Sequence, residues 1–275
     1  MRFAVAGVPI NHSLSPELFA LVAEHLGLKW YMPKRVNAAT PDELFSKLED
    51  DFENPSADFK KRIKAITTQI KKPKPKFIPF GDKPFKGLET SFDKKSSTNC
   101  FVSVTTPLKH QFADYPVNLI KLDNSMPLFL NSDGLGFVEV ARHFNIFPEK
   151  GAVLGLNGGG STALATAIAW KKEGGYVNYY GGNRKLKQFS SEVNYSENDD
   201  IFVDYDNNTS RDGIMTLNPK YGTDDIGSVE NNILDGTWLL VAQHLIAWSL
   251  LARFDNFLPS IGLLITRLKA MQNNL

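Results

Sequence analysis

The chain reads as an α/β protein of two domains, and three observations lead there. Strand-like and helix-like segments alternate from the first residues onward, the pattern of a parallel sheet with helical crossovers. A glycine triplet, Gly158, Gly159 and Gly160, stands between an apolar strand and an alanine-rich helix. With 275 residues, 42% of them apolar and 22% charged, the chain can bury a sizeable core, as one large α/β domain or two modest ones.

The elements follow in order. "FAVAGV" is the first strand. In "SPELFALVAEHLG" Ser15 reads as the N-cap and Pro16 as the first helical residue, Leu18, Leu21, Val22 and Leu26 form an apolar stripe, and Gly27 ends the helix. "KWYMPKRV" reads as a second strand and "TPDELFSKLEDDF" as a second helix capped by Thr40, which completes a βαβ unit. Residues 54–98 carry eight Lys or Arg between Lys60 and Lys76 with no acid among them. They read as a solvated helix with an Ile63, Ile66, Ile70 stripe, followed by a stiff proline-rich connection. The alternative, a basic patch for phosphate or nucleic acid, lacks the interleaved aromatics on which single strands stack. "VSVTTPLKH" is a strand broken by Pro107, with Lys109 two residues on, and "LFLNSDGLGF" is a strand ending in a turn, followed by a helix through "VEVARHFNI". Residues 150–185 read as strand, glycine turn, helix, a Gly174-Gly175 stop and a further strand, "YVNYY".

Composition narrows the function classes. Lys+Arg 31 against Asp+Glu 30 leaves no overall field to draw nucleic acid or an anionic membrane, so neither is expected as a partner. One cysteine, Cys100, excludes an internal disulfide and a cysteine-rich metal site. The five histidines show no metal-ligand spacing, so no metal is expected. The longest apolar run, residues 237–252, is interrupted by Gln243 and His244 and falls short of the roughly 20 residues a spanning helix needs. A cytoplasmic enzyme, monomeric or a homodimer, acting on a small molecule is the expectation.

A dinucleotide site needs glycines where a strand turns into a helix, so that the backbone approaches the pyrophosphate and the helix N-terminus faces its charge. "NGGGST" supplies them, so Asn157, Gly158, Gly159, Gly160 and Ser161 are expected at the cofactor, although a tight structural turn accounts for the glycines equally well. NAD-binding folds place an acid at the end of the next strand. Here "GGNRK" offers Asn183, Arg184 and Lys185, and no acid occurs between Gly174 and Gln188. Two cations suit a 2′-phosphate, which selects NADP; the competing reading is a solvated basic turn.

"NHSLSPE", "VTTPLK", "NSDG", "NGGGST", "GGNRK" and "DGTWLLVAQ" occur in this order. In them the sequence resembles the shikimate dehydrogenase family, NADP-dependent enzymes that reduce 3-dehydroshikimate to shikimate, from Val5 to about Leu251. The resemblance implies substrate contacts at Ser13, Ser15, Thr105, Asn118 and Gln243, and a catalytic pair of Lys109 and Asp133. It also implies a substrate-binding domain at residues 1–133, a Rossmann-like NADP-binding domain at 134–235, and helices at 236–275 that return to the first. Each residue has a plainer reading: Ser15 as a cap, Asn118 as a loop-closing amide, Asp133 before Gly134 as a turn signature. Gln243 lies among Leu239, Leu240, Val241 and Leu245, where an amide without a partner is costly. Ser103, Leu119, Leu18, Phe19 and Asn157 depart from the family pattern, the helix after Lys109 is short, and so is the stretch 201–235. A quinate-using variant and a non-catalytic shikimate- or nucleotide-binding relative therefore stand beside the dehydrogenase reading.

Overall fold

The computed structural model describes residues 1–71, 100–122, 127–186, 198–206, 209–222, 226–251 and 258–273. By their internal contacts the described residues form two compact units, one from residues 1–132 together with the chain from His244 onward, the other Asp133–Gln243.

The first unit is built on a five-stranded sheet ordered β2-β1-β3-β4-β5: β1 (Arg2–Gly7), β2 (Lys34–Asn37), β3 (Cys100–Val104), β4 (Leu119–Leu122) and β5 (Leu128–Leu130). β1 is parallel to β2 and β3, whereas β4 and β5 are antiparallel. The helices are α1 (Ser15–His25), α2 (Pro41–Leu48) and α3 (Ala57–Gln69), with α7 (Ile261–Asn273) packed on α1 and α3. Because side chains alternate along a strand, β1 feeds two cores. Ala4 and Ala6 pack with Val36, Leu44 and Val102, while Phe3 stacks on Phe19 of α1 at 4.4 Å, and Phe19 on Trp248 at 5.0 Å.

Several local expectations hold and others need correction. The Thr40 hydroxyl accepts from the Glu43 amide as the cap of α2, a contact of about 1 kcal/mol. Ser15 is not the cap of α1: Leu14 occupies that position, and Ser15 is the first helical residue. The second strand is shorter than "KWYMPKRV", because Pro33 has no amide to donate and the preceding residues bond elsewhere, Tyr31 to the Met1 carbonyl and Met32 to the Glu53 carbonyl. The second helix stops at Leu48, leaving Phe52 buried beyond its end. The basic helix forms, with Ile63 and Ile66 buried; the proline-rich connection after it falls within residues 72–99, outside the described residues. β4 carries "LIKL", a strand that the sequence pattern does not announce, and the antiparallel β4–β5 pair replaces a wholly parallel sheet.

The second unit carries a six-stranded sheet ordered β10-β11-β9-β8-β6-β7, parallel except for β10 (Val229–Glu230). Its other strands are β6 (Val153–Asn157), β7 (Tyr176–Gly181), β8 (Ile201–Asp204), β9 (Met215–Leu217) and β11 (Ile233–Leu234). β6 lies between β7 and β8, which makes its carboxyl end the switch point where ligands of open α/β sheets bind. α4 (Asp133–His143) and α5 (Ser161–Lys172) pack closely, since Gly134 lies against the Ala165 carbonyl where a Cβ would overlap, and Phe137 meets Trp170 edge-on at 5.8 Å. No helix occurs among the described residues between β8 and α6 (Thr237–Leu251). The contact-based division falls between Ser132 and Asp133 and, within α6, between Gln243 and His244. Asp133 and the first part of α6 therefore group with the second unit, whereas the family resemblance implies a place in the first.

Candidate functional site

In the first unit, the carboxyl ends of β1 and β3 run side by side. The Thr105 amide donates to the Ala6 carbonyl and the Val8 amide to the Thr106 carbonyl at 3.0 Å, in two loops that each contain a cis proline bond, Val8-Pro9 and Thr106-Pro107. Thr105 lies against Gly7, where the positive φ of 151° and the absence of a Cβ allow the approach. Lys109 follows in a single 3-10 turn, Leu108–His110, and its carbonyl accepts from the Val117 amide at 2.7 Å. Asn118 joins the same edge, because its carbonyl accepts from the Val104 amide. Thr105, Lys109 and Asn118 thus gather where β3 ends beside β1 and β4 begins, while Ser13 and Ser15 follow β1 in the turn into α1.

The hydrogen bonds at this edge revise the duties of three residues. The Ser13 hydroxyl accepts from the Ser15 amide at 3.3 Å, which engages both serines at the start of α1 while Leu14 stands at the cap without a side-chain hydrogen bond. Arg35 of β2 braces this turn by donating to the Ser13 carbonyl at 3.1 Å while paired with Glu17 at 2.8 Å. Asn118 donates to the Ser132 hydroxyl at 3.0 Å and accepts from the Ser132 amide at 2.8 Å, a reciprocal pair that fixes the strand end next to Asp133. Cys100 is no nucleophile: burial pushes its thiol up to about 12, so it stays protonated.

In the second unit, Asp133 is the first residue of α4 and only 1% exposed. A carboxylate in the first helical turn complements the helix dipole. Gln243 of α6 donates to its Oδ1 at 3.0 Å, and Thr162 of α5 donates to its Oδ2 at 3.1 Å. Gly136 permits the approach of α6, since a Cβ there would press on the Gln243 backbone. The partner that Gln243 needs on its apolar helix is therefore Asp133.

The glycine turn closes β6. Asn157 is the last residue of that strand and accepts from the Tyr205 amide through its carbonyl. Gly158 has φ 121° and lies against Tyr205, and Gly159 lies against the Arg184 carbonyl, where a Cβ would overlap. The tight-turn account of the triplet holds here, since the glycines permit the chain's own close packing, and the turn leads into a helix whose cap makes no side-chain hydrogen bond. Gly160 caps α5 without any side-chain hydrogen bond, Ser161 begins the helix, and the Arg184 guanidinium reaches toward Gly160. A helix N-terminus without a side-chain cap, with a guanidinium alongside, offers a donor set for phosphate. Asn183, Arg184 and Lys185 are exposed in the loop after β7. This donor set fits a dinucleotide phosphate.

Sequence reasoning missed four features of the second unit. Thr162 bonds Asp133, and nothing in its spacing signals this. Tyr205 shares a hydrogen bond with Thr166 at 2.8 Å, its phenol pushed upward by burial and then by the charge of Asp133. Asp206 accepts from the Asn183 amide, so a carboxylate from the end of β8 stands beside the basic loop. Asp199 is buried on the other face, bonded by Asn178 at 2.9 Å and Arg211 at 2.7 Å. An open depression of about 480 Å³ also lies at the carboxyl ends of β9 and β11, lined in part by Asn218, Lys220, Tyr221 and Asp235.

Sheet order, glycine turn and switch point define a two-unit α/β protein whose second unit is an open, mostly parallel sheet with a glycine turn at its switch point. The sequence matches no protein-family model and no curated protein. Solved structures do match along the chain. Shikimate 5-dehydrogenase from Thermus thermophilus, in complex with NADP(H) and shikimate, is 17% identical with a TM-score of 0.58 over 98% of this chain and 99% of that one. Shikimate dehydrogenase from Mycobacterium tuberculosis is 16% identical with a TM-score of 0.55 over 98% and 99%, and that from Aquifex aeolicus 17% identical with 0.52 over 90% of each. At these identities the likeness shows the fold, which is that of the shikimate dehydrogenases.

Proposed function

We propose that this protein is an NADP-dependent dehydrogenase that reduces 3-dehydroshikimate to shikimate, a cytoplasmic step in the biosynthesis of aromatic amino acids. The observation that carries the reading is convergence. Residues far apart in sequence come together at two places: Thr105, Lys109 and Asn118 where β3 ends and β4 begins, and Asp133 with Gln243 at the heads of α4 and α5. The fold supports it, as structures sharing that fold have been solved with shikimate and NADP(H).

Reducing a ring ketone requires a hydride delivered to the carbonyl carbon and a proton to its oxygen. NADP, in its reduced form, supplies the hydride. The N-terminus of α5 would face its pyrophosphate, and Arg184 and Lys185 would meet the 2′-phosphate. Lys109 donates a hydrogen bond to the carbonyl oxygen and then its proton as alkoxide charge develops; the amine regains a proton from water. Asp133, held by Gln243, is the second catalytic residue that the resemblance implies. Ser13, Ser15, Thr105 and Asn118 offer hydroxyls and an amide to a carboxylate and ring hydroxyls.

A second reading, ligand binding without turnover, draws on Asn157 in the turn and on the lack of a helix among the described residues between β8 and α6. Oxidation of shikimate with NADP, followed by NADPH absorbance and set beside calorimetric binding of shikimate and quinate, separates the readings. Turnover with shikimate supports the first, binding without turnover the second, and faster turnover with quinate shifts the substrate. Neither binding nor turnover overturns both.

A further inference from the structure

The arrangement around Asp133 assigns a role to Thr162, the last residue of "NGGGST", for which neither the cofactor nor the substrate reading has a use. A carboxylate held at one oxygen can still swing about its Cβ–Cγ bond, whereas donors at both oxygens stop that rotation. Gln243 holds Oδ1 at 3.0 Å and Thr162 holds Oδ2 at 3.1 Å. The two donors come from different helices, α6 and α5, and both approaches depend on glycines of α4, Gly136 and Gly134. Thr162 is also the second residue of α5, two after the Gly160 cap, so the hydroxyl that fixes the carboxylate is carried by the same turn of backbone as the helix N-terminus. Thr166, one turn further along the same helix face, bonds Tyr205, and Tyr205 packs on Gly158. The glycine turn and the carboxylate are thereby parts of one packed unit.

We propose that Thr162 is a positioning residue, which locks the orientation of the Asp133 carboxylate and ties it to the cofactor turn. The proposal rests on the dehydrogenase reading, in which Asp133 is catalytic. Thr162→Val removes the hydroxyl while keeping the shape, and Thr162→Ser restores a donor. For shikimate oxidation, Thr162→Val is expected to lower kcat about tenfold with the KM values for NADP and shikimate within about twofold, and Thr162→Ser to stay within about twofold of the unaltered protein. Equal kcat in the Val and Ser variants, or a loss confined to KM, overturns the assignment. An unaltered protein without turnover overturns the catalytic reading and with it the kinetic role. The contact is read independently by unfolding Thr162→Val, Asp133→Asn and the double variant. Midpoint shifts that simply add overturn it, and a double variant less affected than the sum supports it.

Discussion

His244 offers a test of the packing of the first unit by pH alone. Its imidazole is 6% exposed on α6, beside the Phe3 ring at 5.9 Å, and its Nε2 has no hydrogen-bond partner among the described residues. Burial lowers its pKa from the ordinary 6.5 to about 4. A depressed imidazole pKa means that the unfolded chain takes up a proton at a higher pH than the folded one. Stability is therefore full above about 6.5, declines as pH falls through the interval, and is fully reduced near 4. At about 1.4 kcal/mol per pH unit, the loss is about 2 kcal/mol at pH 5 and about 3 kcal/mol at its limit. His244→Leu keeps the volume and removes both the titration and the unsatisfied nitrogen, so the variant should be more stable at neutral pH by about 1 kcal/mol. Its advantage should grow by about 2 kcal/mol between pH 7.5 and pH 5. Urea unfolding of both proteins at several pH values measures the difference, in which the titration of groups common to both cancels. A difference that stays constant across this range refutes the reasoning.

Two further predictions concern the proposed activity. Lys109→Ala should lower kcat and kcat/KM together by roughly 10² to 10⁴ in shikimate oxidation, with fold and NADP affinity retained, because proton donation acts in the transition state; nearly full turnover removes the lysine from the mechanism. Replacing Arg184 and Lys185 together by alanine should weaken NADP far more than NAD in calorimetric titration, since charge-assisted contacts are worth about 1.5 to 3 kcal/mol each. Equal losses for the two cofactors would remove the 2′-phosphate assignment.

Signals that are local in sequence are legible from the residues alone. The βαβ start, the Thr40 cap, the Ile63 and Ile66 stripe, and the strand-glycine-helix passage at residues 153–172 depend on backbone preference and periodicity within a few residues, and they form where expected. The motif residues are legible too, as chemistry in a set order. Their partners are not. The sequence contains no sign that Gln243 bonds Asp133 across 110 positions, that Thr162 completes the pair, or that Asp206 returns from β8 to meet Asn183. Leu14 and not Ser15 stands at the cap because the start of the helix is settled by how the β1 loop enters α1 and by the Arg35 brace from β2. The antiparallel β4 and β5 likewise depend on which strand edge is free once β1 and β3 have paired. Such contacts arise when distant segments are brought together by burial of their apolar faces, and a buried donor or acceptor then takes whichever partner the packing leaves within reach.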